Sequence, residues 1–365
     1  MNPLPTYDEL PTPTVLVDRA RLAANIRGMQ AACDAHGVEL RPHIKTHKMV
    51  AVARQQLTAG ARGLTCAKLG EAEAMLPSGV RSLFVAHSLV DPRQASRISA
   101  LIEQLDELRL AVTSEEHTEV FLRLAALTGK KLSVMMAIDT GLGREGVRDL
   151  AAVGRIAAAL GRSPHAELRG FYAHEGSLYG VPPAEQAARV EETIARVCAA
   201  RDGIDRSLPV WPGCSVSARL VAAASRGRVQ AVRPGTYVFG DIALAKLTGT
   251  MRADEVALHV LATVVDKPAS GLALIDAGSK ALFSDRTAAN IFAIAADGRE
   301  LSVVRVSEEH GWVRGADVDA LRVGERLLFM PAHVCPVVNL TDEVVVTEGG
   351  RVVDVWRVEA RGRVR

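Results

Sequence analysis

The chain of 365 residues has almost no charge imbalance, with 44 Lys and Arg against 42 Asp and Glu and a net charge of +2. It also carries no basic stripe, so nucleic acid is excluded as the expected partner. No apolar run approaches the length of a membrane span, which argues against a membrane partner. The N-terminus (Met1-Asn2-Pro3-Leu4-Pro5) lacks a charged stretch followed by an apolar one, so no secretory signal is expected there. Five scattered cysteines, an odd number, fit a reducing cytoplasm and not a disulfide framework. Repeats, low-complexity segments and long linkers are absent too. What remains is an ordinary globular composition, 48% apolar and 24% charged, in a chain long enough for one large barrel and an appendage.

Short apolar runs alternate with longer Ala-, Leu-, Arg- and Glu-rich stretches over the first two thirds of the chain. The strand-like runs are Leu40–Ile44, Gly63–Ala67, Leu83–His87, Leu108–Thr113, Leu132–Asp139, Leu168–His174, Pro209–Gly213 and Ala231–Val238. Eight such units predict a (β/α)8 barrel spanning residues 14 to 243. After Gly240 the runs Val256–Val265, Gly271–Ile275, Ile291–Ala295, Leu301–Val306, Arg326–Met330 and Glu343–Thr347 are separated by turn signals such as Asp297-Gly298. They predict an all-β domain over residues 244 to 365, with a contribution from residues 1 to 25. Thr14–Val17 suits either domain.

Polar residues concentrate where the barrel runs end, the face on which barrel enzymes place their chemistry. Lys45, His87, Asp139, His174 and Gly213 all lie there. In Arg41-Pro42-His43-Ile44-Lys45-Thr46-His47-Lys48, period-two alternation places Arg41, His43 and Lys45 on one side. Like charges so placed lower one another's pKa, which suits a lysine for Schiff-base chemistry. A solvated turn would carry the same residues.

Further candidates follow the later runs. Asp139-Thr140-Gly141-Leu142-Gly143-Arg144 makes a loop whose backbone can approach a ligand beside a cation. Tyr172 and His174 share a face. Ser215, Ser217, Gly235 and Tyr237 lie after the seventh and eighth runs, where barrels bind phosphate. In Pro331-Ala332-His333-Val334-Cys335-Pro336, strand geometry would turn His333 and Cys335 the same way and offer an imidazole and a thiolate to one cation. Burial of both as structural residues is the alternative. Lys280 and Glu309-His310-Gly311 form two more polar clusters without an identified reaction.

Taken together, Arg-Pro-His-x-Lys-Thr-His-Lys, Asp-Thr-Gly-x-Gly-Arg, Asp-Ala-Gly-x-Lys, Glu-His-Gly and His-x-Cys-Pro resemble the D-threonine aldolase/D-serine dehydratase-like family. That family is similar to alanine racemase in joining a pyridoxal phosphate barrel to a β domain (fold type III). The resemblance runs from Thr12 to Trp356. It implies that Lys45 carries pyridoxal 5′-phosphate and that Arg144 lies near the cofactor ring, with Tyr172 also at the cofactor. It places Ser215, Ser217, Gly235 and Tyr237 in the phosphate regions and makes His333 and Cys335 the metal pair.

His43 and His174 are candidate bases beside Lys45. Two departures stand out: Trp211-Pro212-Gly213-Cys214 is less Gly-rich than the family form, and His174-Glu175-Gly176-Ser177-Leu178-Tyr179 lacks a second His. The implied activity is a metal-dependent lyase acting on a D-3-hydroxy amino acid. Cys335 favours zinc over manganese or magnesium, and with it β-elimination to a 2-oxo acid and ammonia. Retro-aldol cleavage to glycine and an aldehyde is the alternative. An amino-acid racemase is disfavoured because no tyrosine follows Tyr237 to supply the second base. A non-catalytic cofactor-binding protein is disfavoured because such proteins resemble the barrel half alone. A cytoplasmic homodimer is the family-level expectation.

Overall fold

The computed structural model describes Thr6 and residues 9 to 365. The chain divides into two compact units. One comprises Arg27–Lys45, Val50–Gly235 and Arg363–Arg365; the other comprises the N-terminal stretch to Ile26, Thr46–Met49 and Thr236–Gly362.

The first unit is the expected barrel. Strands Leu64–Cys66, Ser82–Ser88, Glu107–Val112, Leu132–Ala137, Ala166–Tyr172 and Val210–Trp211 pair in parallel in sequence order. Glu39–Leu40 pairs in parallel with Ala231–Val232. A bridge between His43 and Thr65 joins that pair to one end of the six. The Gln230 N–H, donating to the Val210 carbonyl (3.1 Å), joins it to the other and closes the ring. The first and last strands are shorter than their apolar runs suggest. Pro42 and Pro234 follow them closely and cannot donate to a ladder, so regular pairing stops.

Helices between the strands start where their sequences cap them. The Ser114 hydroxyl accepts the His117 N–H at the start of Glu115–Thr128, and the Asp149 carboxylate accepts from Ala151 and Ala152 at the start of Leu150–Arg162. In the latter helix Val153, Ile156 and Leu160 are buried, a stripe at helical spacing that packs on the barrel. Inside the ring, Phe84, Ala111, Met135, Ala137, Tyr172, Trp211 and Ala231 fill the interior, so the barrel is a packed core.

The grouping of Arg41 with Lys45 does not hold. The Arg41 guanidinium sits 4.3 Å from the Trp211 ring centroid and pairs with Glu39 and Glu107, while its Nη1 donates to the Ser82 hydroxyl. Ser82 and Glu107 begin their strands, so Arg41 belongs to the end of the barrel at which these strands start. Alternation could not be extended across Pro42.

The second unit is a nine-stranded sheet. Its order is Leu272–Ile275, Gly311–Arg314, Ser302–Val306, Ala293–Ala295, Arg326–Pro331, Leu258–Ala269, Thr14–Asp18, Glu343–Glu348 and Arg351–Arg357. Leu272–Ile275 also pairs with Leu258–Ala269, closing the first six strands into a ring. Thr14–Asp18 lies in this sheet, antiparallel to Leu258–Ala269 and parallel to Glu343–Glu348. Gly311–Arg314 and Arg351–Arg357 add two strands that the sequence reading did not identify.

Candidate functional site

In the barrel unit His43, Lys45, Arg144, His174 and Arg233 lie within electrostatic reach of one another, and Arg233 and Arg144 also act on Tyr172. The His43 N–H donates to the Pro234 carbonyl (2.9 Å), and its ring Nδ1 accepts the Lys45 backbone N–H (3.4 Å). Burial, then Lys45, Arg233, His174 and Arg144 in turn, hold the His43 imidazole well below the usual histidine range. Burial, followed by Lys45, Arg233 and Arg144, pushes His174 down to about 3. Both rings are therefore neutral at neutral pH, and burial with the nearby cations makes each a weak base. Lys45 is thus one of the cations that lower both histidines.

Arg233, to which the sequence assigns no role, is 5% exposed beside Tyr172. It donates to the Trp211 carbonyl (3.1 Å) and the Ala173 carbonyl, and its guanidinium carbon lies 5.0 Å from the Tyr172 ring centroid. The Tyr172 hydroxyl is buried without a hydrogen-bond partner. Burial raises its pKa, with Glu145 acting in the same direction, so it stays a phenol.

Glu175 is the other residue that the sequence reading passed over. Its carboxylate oxygens each accept the Gly213 N–H (2.9 Å), and Oε2 accepts from the Ser217 hydroxyl (3.1 Å). That hydroxyl in turn accepts the Cys214 N–H (2.9 Å). Ser217, expected as a phosphate donor, therefore gives its proton to Glu175. Gly213 has φ +106, and a Cβ there would lie 2.9 Å from the Val232 Cβ, so only glycine fits between Glu175 and that strand. Replacing Glu175 with Ala should cost about 1–3 kcal/mol by leaving these buried donors unpaired. A lowered melting temperature, with Glu175→Gln much closer to the parent, would check this.

Ser215 is buried and accepts the Gly235 N–H (3.1 Å). Asp139 organises the preceding loop, accepting from the Gly141 N–H (3.0 Å), the Gly143 N–H (3.2 Å) and Arg148 (2.8 Å). Gly146 closes that loop at φ +115, where a Cβ would meet the Asp139 nitrogen at 2.6 Å. Arg144, half exposed, pairs with Glu145 (2.8 Å).

In the β unit His333 and Cys335 converge through a strand-to-helix corner and not through strand alternation. Arg326–Pro331 ends, His333 caps the next helix in extended conformation, and Cys335 lies in the first turn of Val334–Leu340. The ring Nδ1 of His333 is 2.7 Å from Asp285 Oδ2, and the ring also hydrogen-bonds the Cys335 sulfur. Burial alone would lower the His333 pKa, but Cys335, Asp285 and Asp241 raise it to about 10. The Thr46 hydroxyl is 3.2 Å from the Cys335 sulfur. Asp241, buried, accepts from the Leu244 N–H (3.0 Å) and the Val334 N–H (3.4 Å), which fixes the corner.

Tyr237 is buried in the short helix Thr236–Val238. Lys48 Nζ donates to Asn339 (2.9 Å), so the second lysine of the motif has a structural job. Lys280 is exposed and pairs with Glu309 (2.7 Å), and His310 is exposed beside it in sequence.

These donors fit both implied groups. A buried phenol without a partner, a buried guanidinium bonded to carbonyls and a cation-rich rim suit an anionic aromatic ligand. An imidazole oriented by a carboxylate beside a thiol suits a soft divalent ion. Among the described residues no group of three or more His, Cys, Asp or Glu side chains that could hold a metal ion is found. Among the same residues, no helix is long and apolar enough to cross a membrane.

Residues 17–243 match the alanine racemase N-terminal domain, and residues 257–347 match a putative serine dehydratase domain. The chain is similar to a D-threonine aldolase of an Arthrobacter species, 32% identical over 99% of this chain and 94% of the relative. It is similar to D-threo-3-hydroxyaspartate dehydratase of Delftia sp. (strain HT23), 35% identical over 89% of this chain and 91% of the relative. A variant D-threo-3-hydroxyaspartate dehydratase solved in the metal-free form superposes with a TM-score of 0.87 at 29% identity, covering 97% of this chain and 98% of the other.

Proposed function

Because the chain belongs to the D-threonine aldolase/D-serine dehydratase-like family of fold-type III pyridoxal phosphate enzymes, we propose that it is a zinc-dependent dehydratase of D-3-hydroxy amino acids. The products are a 2-oxo acid and ammonia. The pyridoxal phosphate-dependent lyase class follows from the family; the elimination outcome rests on one observation, the pairing of His333 with a cysteine sulfur. A thiolate and an imidazole favour zinc, and a Lewis acid suits departure of a β-hydroxyl.

Pyridoxal phosphate, when bound, supplies an electron sink for charge developing at Cα. A divalent ion supplies the Lewis acid. The reading assigns cofactor attachment to the Lys45 amine, which then takes the Cα proton at Nζ. His43, its Nδ1 occupied by the Lys45 amide, orients the segment that carries that amine. Arg144 and Tyr172 would lie at the cofactor. Ser215, Gly235 and Tyr237 would hold the phosphate, with Ser217 acting through Glu175 to fix the loop. His333 and Cys335 would hold the metal.

Asp285 orients the His333 ring by accepting from Nδ1, which directs the opposite nitrogen to the ion. Replacing Asp285 with Asn should weaken metal affinity by about 10–100-fold. Competition with a chromogenic chelator measures that loss independently of turnover.

Retro-aldol cleavage is the second reading, in which His174, neutral though made a weak base by burial and the surrounding cations, would take the proton of the β-hydroxyl. Product analysis separates the two. Fully loaded protein given D-threonine should release ammonia and 2-oxobutyrate; glycine and acetaldehyde would establish the aldolase instead.

A further inference from the structure

Outside the residues used above, the described residues of the barrel rim include a lysine–histidine pair. Lys68 follows the strand Leu64–Cys66, and His87 lies near the end of Ser82–Ser88. These strands are neighbours, with Cys66 opposite Val85. Lys68 Nζ is 2.7 Å from His87 Nε2. Both side chains are half-buried. His43, two residues before Lys45, bridges Thr65 on the same side. Lys45 and Lys68 thus follow, and His87 nearly ends, three neighbouring strands, and Arg144 acts on His87 as it does on His43 and His174.

An ammonium whose partner is an imidazole has no counter-charge. Among the described residues no ion pair joins Lys68 to a carboxylate, and Glu145, which acts on His87, is paired with Arg144 (2.8 Å). Burial, then Lys68, depress the His87 pKa, so its ring accepts from the lysine, whose amine has further N–H donors. A partly desolvated ammonium in that state gains most from an anion delivered by a ligand.

Neither residue has work to do at Cα or at the phosphate. We propose that Lys68 and His87 form a subsite for a carboxylate carried on the β-carbon of the substrate. The preferred substrate is then a D-3-hydroxy amino acid with a second carboxylate, ahead of D-serine or D-threonine. The substrate assignment rests on the lyase reading; the anion subsite does not.

Cofactor- and metal-loaded protein is assayed with D-threo-3-hydroxyaspartate and D-threonine, alongside Lys68→Met and Lys68→Arg. The parent should prefer the dicarboxylate. Lys68→Met should lower the ratio of the two kcat/KM values by about tenfold to a hundredfold, the scale of a lost charged hydrogen bond, mainly through KM. Lys68→Arg should restore most of it. A ratio unchanged in Lys68→Met, an equal fall for both substrates or a loss of cofactor affinity would overturn the subsite. Competition by D-aspartate against D-alanine, read from cofactor absorbance, separates the two failures. If the parent cleaves neither substrate yet prefers D-aspartate and loses that preference in Lys68→Met, the lyase reading falls and the subsite stands. If it shows no such preference, the subsite falls.

Discussion

Cys335→Ala should leave a folded protein that retains pyridoxal phosphate, binds little zinc and eliminates about 10²–10³-fold more slowly. A fall of that size corresponds to a few kcal/mol of transition-state stabilisation, the scale expected from removing a Lewis acid at a departing oxygen. Metal content and ammonia release report the two effects separately. Cys335→Asp carries the ligand argument further. A carboxylate suits manganese or magnesium, so this variant should rebind metal with altered preference. Gain of glycine release by that variant would tie the reaction outcome to the ligand at residue 335. Unchanged ammonia release at parental rates with magnesium would break that link.

Lys45→Ala should remove activity by about 10³-fold or more, the range for losing a group that both positions a reactant and moves a proton. The expected signature differs from that of the metal variants. Cofactor absorbance should revert to that of the free aldehyde, and an added primary amine should restore part of the rate. Lys48→Ala is the natural comparison, since Lys48 lies in the same motif but donates to Asn339. It should lose stability and keep the cofactor signal.

The barrel and the placement of Lys45, His174 and Gly213 on its rim were legible because polar residues interrupt apolar runs at regular intervals. The appended β domain was legible from turn spacing. Contacts between residues far apart in sequence were not. Glu175 is 38 residues from Gly213 and Asp285 is 48 from His333, and no local pattern links either pair. Arg233 was visible as a residue, but its bonds to the Trp211 and Ala173 carbonyls depend on barrel closure. Arg41 was misgrouped because alternation was carried across Pro42, where the ladder stops. The reverse happened at His333 and Cys335: the pair was found, although a helix start brings them together and not a strand.

Reduction of the cofactor-loaded protein with borohydride, followed by peptide mapping, tests the central assignment most directly. A pyridoxyl label confined to Lys45 is the predicted result, lost when Lys45 is replaced. A label on Lys48 or Lys68, or none at all, would contradict it.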